Sequence, residues 1–247
     1  MSQPQSSLAR EIARKVQATL EEAGVFWLYP GKPRKEAPHA LLTSGLHSDG
    51  YVNVGQVLKD RPEIRGVFAS AIIEALLPNV TIQAVQWSST RVVGADTSST
   101  DLAEAVALLT GAIHTKMIKT EDERGKRQVW HPDNLSLRDG DVVLHLEELI
   151  TTSSSALQVR EGIRLANPGV KFSFSPFLPV VVERSDPDNR VIQVEDSKVL
   201  PLLQLAIRNF KPGPETCPYC AAGSEALKPK HGDNWAKLTG KIENATT

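Results

Sequence analysis

Two adjacent carboxylates, Glu147 and Glu148, precede a run of hydroxyl side chains and an amphipathic segment. The hydroxyls belong to Thr151, Thr152, Ser153, Ser154 and Ser155. A strand that ends at the carboxylates and turns into a helix start would gather backbone N–H groups and hydroxyls around one point, which favours a phosphate. The acidic pair could then bind ribose hydroxyls or a magnesium ion. The alternative is a Ser/Thr-rich loop that only caps the next helix.

A second segment follows the same plan. In "VVGADTSSTDLAEAVA", an apolar run leads through small polar residues, including Ser98 and Ser99, into a helical pattern. Two helix N-termini that each suit an anion suggest a ligand with two phosphate groups. The alternative is that Thr100 or Asp101 simply caps the helix.

A third segment, "KMIKTEDERGKRQVWHP", places cations among acids. The cations are Lys116, Lys119, Arg124, Lys126 and Arg127. Such a segment could be a mobile lid whose cations neutralise a phosphate leaving group in a closed site. A solvated hairpin is the alternative.

Regular elements must position these segments, and the spacing of apolar residues predicts them. The predicted helices are Ser6–Gly24 with Ser7 as N-cap, Pro62–Leu77, Leu102–Gly111 and Ala156–Ala166. The predicted strands are Tyr51–Leu58, Val80–Trp87, Ala112–Ile118, Asp141–Leu146, Phe172–Glu183 and Arg190–Glu195. Strands that alternate with helices of this length predict an α/β fold with a parallel sheet covered on both faces. Ligands of such sheets bind beyond the carboxyl ends of the strands, where all three segments above begin.

The composition restricts the partners. The formal net charge is -1 and 23% of the 247 residues are charged, which favours neither nucleic acid nor a membrane surface. The sequence offers no apolar stretch long enough for a membrane helix and no apolar signal-peptide core, so a cytoplasmic location is expected.

The cysteines are Cys217 and Cys220, in a single CxxC motif. One such motif is half of a four-ligand zinc site, and His231 has no convincing spacing to it. Two subunits could pool four thiolates, or the cysteines could be purely structural. His47 could touch a substrate, or it could be a surface histidine.

Five segments in order carry a family resemblance. They are "ALLTSGLHSDGYVNVGQVL", "VVGADTSSTDLAEAVA", "LEELITTSSSA", "VVERSD" and "CPYCAAGSEALKPK". Together they resemble orotate phosphoribosyltransferases, in particular a long form with a Cys-Pro-x-Cys tail. The resemblance implies a type I phosphoribosyltransferase fold with an N-terminal helix and hood over residues 1–60, a core over 61–200 and a tail over 201–247. It implies a homodimer that uses magnesium and joins phosphoribosyl pyrophosphate to orotate with release of pyrophosphate.

The resemblance also assigns roles to residues. Glu147 and Glu148 match the acidic pair that holds the ribose hydroxyls, with Glu148 near magnesium, and Thr151–Ser155 match the loop around the 5′-phosphate. Ser98 and Ser99 match the pyrophosphate loop, and Lys119 matches the catalytic lid. The remaining matches are Arg184 at the orotate carboxylate, Tyr51 and Val52 at the pyrimidine ring, and Thr43 near the substrate.

Several positions depart from the family pattern. Glu148 replaces an aspartate, Thr43 replaces a lysine found in many members, and serine pairs at Ser98–Ser99 and Ser153–Ser154 replace glycine pairs. Glycine suits phosphate loops because it takes positive φ and lets the backbone approach the ligand. A serine forced into that conformation costs about 1 kcal/mol or more. A phosphoribosyltransferase-shaped binding or regulatory protein without turnover is therefore the alternative function.

Overall fold

The computed structural model describes residues 6–79, 87–122 and 125–240. The helices are α1 (Ser7–Glu22), α2 (Val54–Asp60), α3 (Pro62–Leu76), α4 (Ser98–Thr110), α5 (Ser154–Ala166), α6 (Pro218–Ala221) and α7 (Asn234–Thr239). The strands are β1 (Phe26–Leu28), β2 (His39–Leu41), β3 (His47–Ser48), β4 (Gly50–Val52), β5 (Thr90–Gly94), β6 (Ile113–Thr115), β7 (Met117–Asp122), β8 (Gly125–Trp130), β9 (Val142–Ile150), β10 (Ser173–Phe174), β11 (Phe177–Glu183), β12 (Gln193–Val194), β13 (Ser197–Gln204), β14 (Asn209–Phe210) and β15 (Ala226–Leu227).

The chain divides into two compact units. The large unit comprises Met1–Thr19, Val54–Arg184 and Arg190–Leu205, and the small unit comprises Leu20–Asn53, Ser185–Asn189 and Ala206–Thr247. No helix among the described residues combines the length and apolar character needed to cross a bilayer.

The large unit is built on one sheet with the strand order β12-β13-β11-β9-β5-β6, and β10 adds to β9. All pairings are parallel except that of β12 with β13. The central strands are fully enclosed, since Val180, Val181 and Val182 of β11 and Val143 of β9 have no exposed surface. Strands buried on both faces are typical of parallel sheets covered by helices. The predicted α/β fold with a parallel sheet is thus confirmed.

The helices follow from their apolar spacing. In α1, Ile12, Val16 and Leu20 are buried on one face, as their four-residue spacing predicts. The N-cap is one residue earlier than predicted, because the hydroxyl of Ser6 accepts the N–H of Ala9 at 3.2 Å. Helix α4 ends as predicted at Gly111, whose φ of 74° is left-handed.

Three predicted elements have different limits. The strand predicted over Tyr51–Leu58 is wrong beyond Val52, because α2 begins at Val54 and buries Val54, Val57 and Leu58 at helical spacing. Strand β9 continues to Ile150, so the acidic pair lies inside the strand rather than after it. Of the strand predicted from Val80, only Trp87 lies within the described residues, and it belongs to a short 3-10 turn.

The cation-rich segment forms an antiparallel pair in which β7 runs against β8, with Lys119 opposite Gln128. This is the hairpin that the sequence offered as the alternative to a lid. Arg124 and the side chain of Lys126 lie outside the described part of the chain.

The small unit contains two sheets. Strand β1 pairs with β4, and a four-stranded sheet has the order β14-β3-β2-β15. Its core consists of Trp27, Tyr29, Ala37, Ala40, Cys217, Tyr219, Leu227 and Leu238. Aromatic rings dominate this core, with Tyr29 and Tyr219 at 4.4 Å between centroids. The C-terminal segment therefore supplies half of the core of this unit.

We expect Gly162→Ala to destabilise the protein and Gly66→Ala to stabilise it, although both glycines lie inside helices. A Cβ on Gly162 would lie 2.1 Å from the backbone oxygen of Gln128 in β8, whereas a Cβ on Gly66 would meet nothing within 4 Å. Overpacking of this kind costs about 1–3 kcal/mol, while alanine at an open helical site gains about 0.5–1 kcal/mol. Urea unfolding of both variants measures the difference, and equal effects would contradict the close approach of α5 to β8.

Candidate active site

The acidic pair and the start of α4 lie together at the carboxyl ends of β9 and β5. These strands pair in parallel, with Gly94 opposite Leu146. The hydroxyl of Ser99 donates to Glu147 Oε2 at 3.0 Å and contacts Glu148 Oε2, and it accepts the backbone N–H of Glu148 at 3.0 Å. The two segments that the sequence singled out first are therefore joined through one side chain.

Close backbone approach makes this arrangement possible. A Cβ on Gly94 would lie 2.3 Å from the backbone oxygen of Ser99, so only glycine fits at the end of β5. A Cβ on Gly55 of α2 would lie 2.5 Å from Ser98 Oγ and 3.8 Å from Glu148 Oε1. Ser98 and Glu148 thus border the same small space above Gly55.

A histidine that the sequence reasoning missed orients Glu147. The buried ring of His145 donates through Nε2 to Glu147 Oε1 at 3.0 Å, and Glu147 is only 4% exposed. An ionised carboxylate is an acceptor only, so Nε2 of His145 is the donor whenever Glu147 is ionised. The sequence does indicate this contact, because His145 and Glu147 are two positions apart in a strand and such residues point to the same face.

Glu148 has a perturbed ionisation. Burial, with a smaller contribution from the charge of Glu147, raises the pKa of Glu148 to about 7. A hydroxyl carries one proton, so Ser99 donates to only one of the two carboxylates at a time. When Glu148 is protonated, Ser99 can donate to Glu147 alone, while Nδ1 of His145 is buried without a hydrogen-bond partner among the described residues.

Neither long helix at this edge has a side-chain cap. The N-cap residues Thr97 of α4 and Ser153 of α5 make no capping hydrogen bond through their side chains. The predicted alternative caps of α4 are engaged elsewhere, since Asp101 forms an ion pair with Arg65 at 2.7 Å and Thr100 contacts His114 at 3.5 Å. The first N–H groups of both helices therefore lack the side-chain partner that usually satisfies them.

The serine pairs are not strained. Helix α4 begins at Ser98 and α5 at Ser154, and the φ of Ser153 is -79°. Among the described residues other than glycine, only Glu195 has a positive φ. These serines therefore do not adopt the conformation that would carry the penalty, and they differ from glycine here through their side chains.

Hydrogen bonds connect strands β7 and β8 to the loop before α4. The backbone N–H of Lys119 donates to Asp96 Oδ2 at 3.0 Å, and the side chain of Gln128 bonds both the N–H and the carbonyl of Asp96 at 3.0 Å. The peptide bond between Asp96 and Thr97 is cis. The side chain of Lys119 is exposed, and its backbone lies beside the loop that leads into α4.

The other predicted residues of the large unit border the same edge. The backbone N–H of Arg184 donates to the carbonyl of Ile150 at 3.0 Å, which places Arg184 beside the end of β9. Thr151 and Thr152 form the bend after β9, and Ser154 and Ser155 begin α5 with exposed side chains.

Three predicted substrate residues belong to the small unit, and one of them, Val52, is buried in β4. Thr43 is exposed in the turn between β2 and β3, where the N–H of Leu42 donates to the carbonyl of Leu46 at 2.8 Å. The ring of Tyr51 packs edge-on against Trp235 at 5.9 Å. The surface interpretation of His47 is wrong, since the residue is 7% exposed and burial lowers its pKa.

Solved structures share this fold. The orotate phosphoribosyltransferase of Aeropyrum pernix superposes with a TM-score of 0.52 over 77% of this chain and 93% of that one, at 16% identity. The UMP synthase of Leishmania donovani superposes with a TM-score of 0.51 over 81% of this chain and 37% of that one, at 14% identity. The fold is thus that of the phosphoribosyltransferases.

Sequence comparison identifies the family within this fold. No family model matches the chain. The orotate phosphoribosyltransferase of Heliobacterium modesticaldum is 30% identical over 192 residues, which cover 77% of this chain and 88% of that protein. That of Desulforamulus reducens is 28% identical over 192 residues, covering 77% and 87%. The chain belongs to the orotate phosphoribosyltransferase family.

We expect Glu148 to make stability fall as pH rises. Its pKa of about 7 in the folded state lies above the ordinary value of 4.5, so its stabilising effect is full below the ordinary value and is lost as pH rises through about 7. Glu148→Gln, which cannot ionise, should therefore gain in melting temperature relative to the wild type between about pH 5 and pH 8.

The measurement is differential scanning fluorimetry without magnesium or phosphoribosyl pyrophosphate, with the exposed Glu74→Gln as the control. Wild type and Glu148→Gln that follow the same pH dependence would contradict the raised pKa.

Proposed function

We propose that the protein transfers the ribose 5-phosphate of phosphoribosyl pyrophosphate to orotate, releasing pyrophosphate, and that it acts as a homodimer. The observation that carries this proposal is the contact of the α4 N-terminus with the acidic pair at the ends of β5 and β9. A sugar with phosphates at both ends needs two anion sites with hydroxyl acceptors between them. The helix starts at Ser98 and Ser154 and the carboxylates of β9 are the groups of that kind at this edge of the sheet.

The two helix N-termini supply the anion sites. The uncapped N–H groups of α5, with the hydroxyls of Thr151–Ser155, suit the 5′-phosphate, and those of α4 suit the pyrophosphate. Glu147 and Glu148 accept hydrogen bonds from the ribose hydroxyls. His145 holds Glu147 in position for this role, since it fixes one carboxylate oxygen and leaves the other facing Ser99.

The reaction needs charge stabilisation at both ends of the breaking bond. Carboxylates next to the ribose stabilise the positive charge that develops at C1 as pyrophosphate leaves. The ammonium of Lys119 stabilises the leaving pyrophosphate, and its backbone tie to Asp96 keeps its strand beside the pyrophosphate loop. Arg184 pairs with the orotate carboxylate, a planar group that a guanidinium fork matches. Thr43, Tyr51 and Val52 contact the pyrimidine.

Magnesium fits the donor set. Glu148 is half-buried and its Oε1 borders the space above Gly55, and carboxylate oxygens are the ligands that magnesium prefers. Glu148 would hold the ion together with substrate oxygens. When bound, magnesium supplies neutralisation of the pyrophosphate charge.

One observation favours a second candidate, a binding or regulatory protein that has lost turnover. The hydroxyl of Ser99 already contacts both carboxylates, in the place where ribose hydroxyls would donate. Because Ser99 is completely buried, its side chain cannot turn away into solvent. A ligand must compete with this internal donor for the acidic pair.

Purified protein mixed with orotate, phosphoribosyl pyrophosphate and magnesium should show falling orotate absorbance and formation of pyrophosphate. Lys119→Ala should lower kcat more than it changes KM, because its charge acts on the leaving group. Lys116→Ala, an exposed lysine three residues earlier, is the matched control. Binding of phosphoribosyl pyrophosphate in calorimetry without any product over hours would favour the second candidate instead.

We expect Ser99→Gly to strengthen binding of phosphoribosyl pyrophosphate about tenfold, because it removes a hydrogen bond to a charged acceptor that is worth about 1.5–3 kcal/mol. Calorimetry measures the affinity and the orotate assay measures the rate. The control is Ser136→Gly, an exposed serine outside this site. If Ser99→Gly left both affinity and rate unchanged, the competition would not exist and the second candidate would lose its basis.

A further inference from the structure

The small unit brings two histidines and two cysteines to one point. One ligand atom from each of His39, His47, Cys217 and Cys220 lies within 4.8 Å of the others. Three of the residues are buried and Cys220 is partly buried. The histidines come from strands β2 and β3 and the cysteines from the start of α6, so the group joins segments that are 178 residues apart between His39 and Cys217.

The separations match a tetrahedral metal site. Zinc bonds of about 2.0–2.1 Å to nitrogen and about 2.3 Å to sulfur give tetrahedral edges of roughly 3.3 Å between nitrogens and roughly 3.6 Å between nitrogen and sulfur. The observed distances are 2.9 Å from His39 Nε2 to His47 Nδ1, 3.8 Å from His39 Nε2 to each sulfur, and 3.2 Å from His47 Nδ1 to Cys220 Sγ. Small shifts would admit an ion at the centre.

A hydrogen bond to Ser224 orients the ring of His39 so that its Nε2 can bind a metal ion. Its Nδ1 lies 2.8 Å from the hydroxyl of Ser224, and that hydroxyl donates to the carbonyl of Ala37 at 2.7 Å. Since the single proton of Ser224 goes to Ala37, Nδ1 of His39 must be the donor to Ser224. The lone pair of the neutral ring then lies on Nε2, the atom that faces the cysteines. Metal-binding histidines are usually fixed by such a second contact.

The surroundings suit a closed structural site. The ring of Tyr219 stacks on His39 at 5.4 Å, and the ring of Tyr29 packs on the ring of Tyr219 at 4.4 Å. Both cysteines are free thiols, so no disulfide occupies the ligand atoms. Two thiolates and two imidazoles in tetrahedral arrangement select zinc among the common divalent metals, and four protein ligands leave no open position for catalysis.

We propose that His39, His47, Cys217 and Cys220 bind one structural zinc ion, which fastens the C-terminal segment to the β2–β3 hairpin. The CxxC motif is thus half of a site completed within the same chain rather than by a second subunit. The hairpin turn carries Thr43, so zinc also holds that residue in place. The consequence for substrate binding rests on the proposed function, whereas zinc binding itself does not.

Metal content is the direct test. Full-length protein purified without chelator should contain about one zinc per chain by mass spectrometry of the metal, and cobalt substitution should give the thiolate-to-cobalt charge-transfer and visible bands of a tetrahedral site. Chelation should lower the melting temperature, and added zinc should restore it. Zinc content well below stoichiometry with no thermal response to zinc, or a disulfide between Cys217 and Cys220, would overturn the proposal.

Variants test the ligand set. Cys217→Ser, Cys220→Ser, His39→Asn and His47→Asn should each lose stoichiometric zinc, whereas the exposed His231→Asn in the same segment should retain it. Where a ligand variant fails to fold, Ser224→Ala replaces it, because loss of an outer contact should weaken zinc about 10–100-fold in chelator competition while all four ligands remain. Unchanged affinity in Ser224→Ala, or full zinc in Cys217→Ser, would overturn the assignment. These outcomes do not depend on turnover, so the proposed function can fail while the zinc site stands.

Discussion

The parallel pairing of β5 with β9 is the constraint from which the candidate active site follows. Gly94 lies opposite Leu146, and only residues 95–97 separate β5 from α4. The start of α4 must therefore lie beside Glu147 and Glu148. A slip of one residue in this register would turn the acidic pair to the other faces of the sheet, since strand side chains alternate. Gly94 reinforces the register, because its missing Cβ is what allows the backbone at Ser99 to approach.

Much of this arrangement could be predicted from local sequence. The serine segments follow strand ends, and Glu147 and Glu148 lie near the carboxyl end of β9. In a chain of alternating strands and helices such ends converge in a parallel sheet. The strand prediction beyond Val52 is wrong because it rests on the alternation of Val52 with Val54, whereas Val54, Val57 and Leu58 have the spacing of the helix that forms. The His39 and Cys217 group could not be predicted, since it depends on strand pairings between distant parts of the chain.

The backbone angles change how the serine pairs should be understood. Sequence reasoning attributed the departure from glycine to strain, but the serines take helical or nearby negative φ values, where glycine has no conformational advantage. The difference between serine and glycine here is the hydroxyl. At Ser99 that hydroxyl contacts the buried carboxylate of Glu147 and the half-buried carboxylate of Glu148, and its proton lowers the cost of keeping them close together. Under the proposed function, a ribose hydroxyl replaces this contact.

The acidic pair and the histidine–cysteine group illustrate one physical rule: most buried polar groups have a hydrogen-bond partner or a ligand. Around Glu148 the chain supplies a single hydroxyl and a backbone N–H, and the pKa of Glu148 is raised. Its carboxyl group therefore tends toward the neutral form until a ligand brings donors or cations. Around His39 the chain supplies one outer contact through Ser224 and leaves four soft ligand atoms facing each other. Thiols and imidazoles are weak partners for one another, and a metal ion satisfies all four at once. Under the two proposals, the acidic pair exchanges its partner when substrate binds, and the histidine–cysteine group keeps its metal ion.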